Sequence, residues 1–410
     1  MARVLVLDGH SAAALAFTRS FGKAGHWVAV GSNSEIAAPA ELSRYCRSSF
    51  RHPVSTEDAA GFVQAVLDFS RANGIDLIVP ATDWTTTPLS KFRDLFQGIS
   101  RLALGPHSAI EASADKFSTV AMARELNIAV PKTFLVRSMA DLESIGAAQF
   151  PLVVKDRFST RWVGNRAVFG SVRYAYSQED LKRRVEERLT AAKDVLVQQF
   201  VPGTGVGYSA FCIGDATYLP FAWLRVREVD PRGSGSSARK SIPIAQDILE
   251  SSRTLIKRVG FQGICMVEYK RQPQTGHAVL MEINGRPWGS IQLPIDSGID
   301  YPRYLADWYL EGKLPPAEVH YKNGLLCRRL VGELTHLEYV LHGAPPGWPQ
   351  PYPNLLLTLL KLSVPWYPGV RYDDIWLSDP MPGLAGVMDW VKGRLIKSKP
   401  KRSASAVNPR

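Results

Sequence analysis

Cysteine is scarce in this sequence of 410 residues, and its four copies, Cys46, Cys212, Cys265 and Cys327, are widely separated and in no metal-ligand spacing. A zinc site is therefore not expected. Cys212 and Cys265 lie inside apolar runs that read as core strands, which suits a reducing cytosol. Close histidine pairs are missing too: none of the eight histidines stands four residues from another, so histidine is left out of the metal site. Long hydrophobic runs are also absent, since no stretch approaches the roughly 20 apolar residues of a spanning helix. The nearest, residues 355–360, is interrupted by Thr358 and followed by Lys361. The opening Met-Ala-Arg-Val-Leu-Val-Leu-Asp lacks the long apolar segment and cleavage site of a secretory signal, so a cytoplasmic protein is expected. The turn after the first strand, Asp8-Gly9-His10-Ser11-Ala12-Ala13-Ala14, lacks the three glycines of the pyrophosphate-wrapping fingerprint, which argues against an NAD-binding fold.

What is present is enough apolar residue, 45% of the chain, for a large core divided over two or three lobes. The net charge of +11 is concentrated at the end, where Lys392, Arg394, Lys397, Lys399, Lys401, Arg402 and Arg410 meet no acidic residue after Asp389. The body is thus only mildly basic, and nucleic acid is not expected as a partner. Short apolar strands at 4–7, 27–30, 77–79 and 102–104 alternate with helical stretches, which predicts a parallel sheet covered on both faces. Ligands of such sheets sit beyond the strand carboxyl ends, here Asp8-Gly9-His10-Ser11 and Pro80-Ala81-Thr82-Asp83. From Pro151 the pattern changes to α+β, with strands expected at 152–155, 168–176, 195–200, 208–213, 218–226, 264–269 and 278–283.

The sharpest local signal is Met281-Glu282-Ile283-Asn284-Gly285-Arg286-Pro287. Period-two alternation puts Glu282 and Asn284 on one face and sends Met281 and Ile283 to the core. A hairpin turning through Gln274-Thr275-Gly276 brings Glu268 beside Glu282, and such paired carboxylates are costly unless a cation lies between them. Hard oxygen donors suit Mg²⁺, with Mn²⁺ as an alternative; the plain alternative is a solvated strand end with ordinary salt bridges. Lys155 emerges from a strand that otherwise reads as buried, and Lys116 follows Asp115 on a helix; lysines from two elements can neutralise a polyphosphate from two sides. Gln198-Gln199-Phe200-Val201-Pro202-Gly203 ends a strand in a stiff turn that can offer backbone groups to a planar base.

In this order and spacing, the chain resembles the ATP-grasp superfamily, especially its carboxylate-amine ligase and carbamoyl-phosphate-synthase-like members, over residues 4–310. The resemblance implies an α/β and α+β protein: an N-terminal parallel-sheet pre-ATP-grasp domain (1–112), a small ATP-grasp lobe with linker (113–192) and a large lobe with the metal site (193–315). An irregular extension (316–390) and a basic tail (391–410) follow. It implies ATP and Mg²⁺ as cofactors, Lys116 and Lys155 as phosphate ligands, and Gln198, Gln199, Phe200 and Val201 as the adenine-contacting hinge. Glu268, Glu282 and Asn284 become the metal ligands and Arg286 the contact to transferring phosphate. Arg227 and Arg239, beside the loop 230–237, are expected to face substrate together with Lys155 and Arg286. The implied reaction joins a small carboxylic acid to an amine through an acyl phosphate. Its rivals are carboxylase-like, carbamoyl-phosphate-like or thiol-ligase chemistry, and a non-catalytic nucleotide-binding scaffold.

Two departures from the family pattern stand out. Gln199 occupies a hinge position where many relatives carry a glutamate, and the covering loop 159–170 has only Gly164 and Gly170, with Arg161 and Arg166 inside it and Arg157 before it. At the other end, Leu384, Val387, Met388, Val391 and Leu395 recur at helical spacing. Docking of this helix on the body is one reading; weak peripheral contact with an anionic membrane through the basic C-terminus is the other. A homo-oligomer is compatible with the same apolar residues.

Overall fold

A computed structural model describes residues 1–397 apart from 34–35, 147–148, 317–318 and 365–366. The chain opens with strands β1 (Arg3–Val6), β2 (Trp27–Ser32), β3 (Ser48–Arg51), β4 (Leu77–Val79) and β5 (Arg101–Leu102), which form one all-parallel sheet in the order β3-β2-β1-β4-β5. Helices α1 (Ala12–Lys23), α2 (Ala59–Asn73) and α3 (Asp83–Lys91) follow its strands. The expected parallel sheet is thus present, and β1 and β4 are buried throughout except at Arg3. At the carboxyl end of β1 the Asp8 carboxylate accepts the backbone N–H groups of Ala81 (3.0 Å) and Thr82 (2.9 Å), which fixes the loop that presents Asp83.

Helices α4 (His107–Ala114) and α5 (Lys116–Glu125) lead to a second layer. Here β6 (Thr133–Val136), β7 (Leu152–Asp156), the hairpin β8 (Thr160–Val163) and β9 (Arg166–Phe169), β10 (Val172–Ala175), α6 (Gln178–Ala191) and β11 (Val195–Gln199) follow. The sheet order is β10-β7-β11-β6, antiparallel throughout. It takes in β11, beyond the small-lobe limit expected at residue 192. The single strand expected over 168–176 is two, because β9 pairs with β8 while β10 pairs with β7. The break falls at Gly170, where a Cβ would lie 2.6 Å from the Phe158 carbonyl oxygen.

The third sheet has seven strands in the order β16-β15-β12-β13-β14-β17-β18, from β12 (Thr204–Ile213), β13 (Ala216–Glu228), β14 (Ser236–Ile242), β15 (Gly263–Arg271), β16 (Ala278–Asn284), β17 (Leu326–Arg328) and β18 (Val370–Tyr372). One face packs on α7 (Gln246–Val259), whose Ile248, Leu255 and Ile256 join Val267 and Ile283 in a buried cluster. The other face, through Phe211, Phe221 and Trp223, shares a core with α9 (Tyr301–Glu311) and with β1 and α1 of the N-terminal domain. The short α8 (Gln292–Ser297) closes this seam.

The region after residue 315 is more regular than its prolines suggest. Strands β17 and β18 extend the large sheet, and α10 (Leu330–His342), α11 (Leu355–Ser363) and α12 (Met381–Lys397) pack outside it. Both strands are three residues long, too short for periodicity to declare them. Buried charge ties this region to the N-terminal domain. Arg19 on α1 donates to Asp379 Oδ2 at 2.8 Å and to the Asp373 carbonyl at 2.7 Å, while the same carboxylate accepts from Ser43 Oγ and the Arg44 N–H. Removing one partner strands the other charge in a site that water does not reach. Arg19→Met should therefore lower unfolding stability by about 3–5 kcal/mol in urea denaturation, whereas an exposed pair such as Arg71–Asp68 should change it by less than about 1 kcal/mol.

Candidate active site

The site is built on the β15–β16 hairpin, whose turn falls where Gln274-Thr275-Gly276 predicted it. In register, Glu268 lies directly opposite Glu282, so both carboxylates leave the same face of adjacent strands. Asn284 joins them: its Nδ2 donates to Glu282 Oε1 at 3.0 Å. A β-bulge follows, since Tyr269 pairs with Leu280. Met281 is the extra residue and stays half-buried, so Leu280 rather than Met281 enters the core with Ile283.

Burial raises the Glu268 carboxyl above its usual range, against the pull of Arg225 and with a further push from Glu282. The Arg225 guanidinium ion-pairs with Glu268 and also donates to the Ser234 carbonyl at 2.8 Å. It reaches Glu268 across β12, and the sequence leaves it room: a Cβ on Gly205 would lie 2.5 Å from the Arg225 side chain. One step along the same face, a Cβ on Gly207 would penetrate the Trp223 ring. The strand between β15 and Arg225 is therefore bare by necessity at these positions.

Two lysines approach from the small-lobe side. Lys116 begins α5, donates to Ser159 Oγ at 2.7 Å, and has its pKa lowered by burial against the attraction of Glu282, Asp156 and Asp83. Lys155 on β7 is pushed down to about 8, by burial first and then by Lys116, with Glu282 opposing. Arg286 ends the group. Its guanidinium makes a two-pronged bond to Asp83, at 2.7 and 2.8 Å, which brings the carboxyl end of the first sheet to the hairpin. Burial alone would raise Asp83, but Arg286 holds it below the ordinary carboxylate range. A cavity of about 50 Å³ joins Asp83, Lys116, Ser159, Glu282, Asn284 and Arg286.

The residues expected to form the hinge lie at the end of β11. Gln198 is buried with its Nε2 donating to Thr133 Oγ1 at 2.8 Å, Gln199 is exposed, and Val201 is buried. Phe200 packs edge-on against Tyr174 and Trp348, and Lys270 Nζ lies 5.7 Å from its ring centre. The loop 230–235 closes over this side, since Tyr174 Oη donates to the Arg232 carbonyl at 2.9 Å.

Not every expected residue reaches the group. Arg239 is 1% exposed and ion-paired with Asp373, and Arg227 is held by Glu333, itself 2% exposed, at 2.6 Å. Both face partners from the C-terminal region rather than the carboxylate pair: a bulge between Arg225 and Arg227 shifts Arg227 out of step, while Arg239, directly opposite Arg225, is taken by Asp373. Arg157, expected to add charge to the covering loop, is engaged by Asp115 at 2.6 Å and Asp194 at 3.0 Å. Conversely, Arg225 and Asp83 belong to the site and were not assigned to it from sequence. Their signals were their places beside the loop 230–237 and at the end of β4.

Among the described residues no group of three His, Cys, Asp or Glu side chains converges as a metal cage. Two facing carboxylates with an amide nevertheless fit a hard cation that draws its remaining ligands from phosphate and water. Residues 191–331 match the family described as "ATP-grasp in the biosynthetic pathway with Ter operon".

The chain has an ATP-grasp fold. Among solved structures, the chain is similar to an L-amino acid ligase from Bacillus licheniformis, at 15% identity over 76% of this chain and 74% of that one, with a TM-score of 0.58. It is also similar to an N5-carboxyaminoimidazole ribonucleotide synthetase solved as an ADP complex (13% identity, 88% and 95% coverage, TM-score 0.60). A third is the biotin carboxylase domain of the Hydrogenobacter thermophilus 2-oxoglutarate carboxylase, solved with MgADP, ADP and bicarbonate (12%, 80% and 73%, 0.64). No curated protein matches the chain in sequence.

Because Lys116 contributes to the depression of Lys155, removing its charge must raise the Lys155 pKa. Lysine-methyl NMR on the ¹³C-dimethylated protein should give a Lys155 midpoint near 8 and an upward move in Lys116→Met. Glu282→Gln removes the opposing attraction and should move it down.

Proposed function

We propose that the protein is an ATP-dependent ligase that converts a substrate carboxylate to an acyl phosphate and passes the acyl group to an amine, releasing ADP and phosphate. The observation that carries this reading is the Glu268–Glu282 register with Asn284, met from the other lobe by Lys116 and Lys155. Glu268, Glu282 and Asn284 would hold Mg²⁺, which when bound screens phosphoryl charge and orients the terminal phosphate. Lys155 and Lys116 bind the polyphosphate. The segment 198–201 receives the base at the end of β11.

Attack of the carboxylate oxygen on the γ-phosphorus needs charge dispersal more than a protein nucleophile, and Arg286 supplies it at the side facing Asp83. Water competes with the amine for an acyl phosphate, so a closed cleft is required. The loop 230–235, tied to Tyr174, and the hairpin β8–β9 over Lys116 provide it. Beside the Arg286 cavity, and sharing Thr87, Ile110, Ala114 and Thr160 with it, lies a cleft of about 370 Å³ walled by Phe92, Phe158 and Trp162. That cleft supports a substrate with an apolar body.

The similar ligase and synthetase folds support carboxylate ligation in general terms. Product mass separates amide formation from the carboxylase reading: an amide adds the acid to the amine with loss of water, a carboxylate product adds the mass of CO₂. In a screen of amino acids, dipeptides and small organic acids with ATP and Mg²⁺, the wild type should release ADP. Glu282→Gln should lower turnover by about 10³-fold while circular dichroism stays unchanged. Unchanged turnover in that variant at saturating metal and substrate would remove the metal assignment.

A further inference from the structure

We propose that the outer face of the C-terminal helices docks on an anionic lipid bilayer surface; this is independent of the ligase reading. On α11 the buried side chain is Thr358, while Leu355, Leu356, Leu359 and Leu360 are exposed, Leu356 at 66%. A helix packed for water does the reverse, turning its leucines inward and its threonine out.

Helix α12 carries a second exposed apolar stripe. Met381, Leu384, Met388 and Val391 follow one another at helical spacing and all are exposed. The inward side of the helix is held by other residues: Trp390 Nε1 donates to Thr335 Oγ1 at 3.0 Å, and Arg394 ion-pairs with Glu338. The stripe expected from sequence to dock α12 on the body therefore points outward at Leu384, Met388 and Val391, Val387 is half-buried, and the Leu395 side chain lies outside the described residues. Both helices pack on α10, whose own Leu341 is exposed.

Charge selects the occupant. Lys361 on α11 and Lys392 on α12 are exposed, and α12 runs toward a sequence in which Lys399, Lys401, Arg402 and Arg410 have no acidic counterpart. The structure of residues 398–410 is outside the described part, but their charge is fixed by sequence. A second copy docked by a two-fold axis on this face would set these cations against one another, whereas anionic headgroups neutralise them. Among the described residues no helix is long and apolar enough to cross a membrane, so contact is with the surface. An apolar face beside a polybasic segment is the two-signal combination that holds a protein there.

The test is co-sedimentation of the full chain with sucrose-loaded vesicles of phosphatidylcholine, with or without phosphatidylglycerol. The wild type should bind the phosphatidylglycerol vesicles roughly tenfold or more tighter than phosphatidylcholine alone, and raising salt from about 0.05 to 0.5 M should release most of it. Leu356→Ser with Leu360→Ser, and separately Leu384→Ser with Met388→Ser, should each weaken binding about tenfold with the circular dichroism spectrum unchanged. Negligible sedimentation of the wild type with either vesicle would overturn the proposal, with no variant needed. So would undiminished binding by both double variants, or a wild-type dimer in sedimentation velocity that either pair of substitutions splits.

Discussion

Two carboxylates that face one another across adjacent strands, Glu268 and Glu282, set the terms for the rest of the cleft. Unassisted, the pair is unfavourable, since burial and mutual repulsion both favour the protonated form. The surroundings are arranged to carry that charge. Arg225 crosses the bare position at Gly205 to reach Glu268, Asn284 donates to Glu282, and Lys116 and Lys155 bring positive charge from the other lobe at the expense of their own lowered pKa values. One acid raised, Glu268, and two lysines lowered within one group suit a multivalent ligand that carries both signs, as a metal-bound polyphosphate does.

The domains around the hairpin act as its frame. Asp8 shapes the end of β4 and Asp83 then grips Arg286 at the end of the hairpin, while Tyr309 on α9 donates to the Leu104 carbonyl at 2.9 Å and ties that helix to the first domain. On the opposite flank the C-terminal region engages Arg227 and Arg239 through Glu333 and Asp373. These buried ion pairs are poor sources of net stability, but they join β13 and β14 to the C-terminal region. Arg225 leaves β13 next to that anchored stretch, which connects the C-terminal strands to the charge balance of the site.

Much of the site was legible in the sequence because its information is local. Alternation along 282–284 and the turn at 274–276 give the hairpin and the face shared by Glu282 and Asn284, but not the bulge that puts Leu280 in the core in place of Met281. Pairings that depend on distant chain segments were not legible. Arg227 and Arg239 border a polar loop and read as substrate-facing, yet their partners stand 106 and 134 residues away. Arg225 looks no different from them in sequence, yet the bulge after it sets Arg227 out of step and Gly205 on β12 leaves the space through which Arg225 reaches Glu268. For α12 the period revealed an apolar stripe but not what covers it, since a core face and an outer face have the same spacing. Three-residue strands such as Leu326–Arg328 carry too little pattern to be read at all.

The most direct measurement of the central claim is anomalous diffraction from crystals grown with Mn²⁺ and a non-hydrolysable ATP analogue. The account predicts an Mn²⁺ peak bridging Glu268 and Glu282 to the terminal phosphates, with the Arg225 guanidinium displaced from Glu268 and Lys155 against the same polyphosphate. Nucleotide bound with those carboxylates turned away, no anomalous peak between them and Arg225 still seated on Glu268 would contradict it.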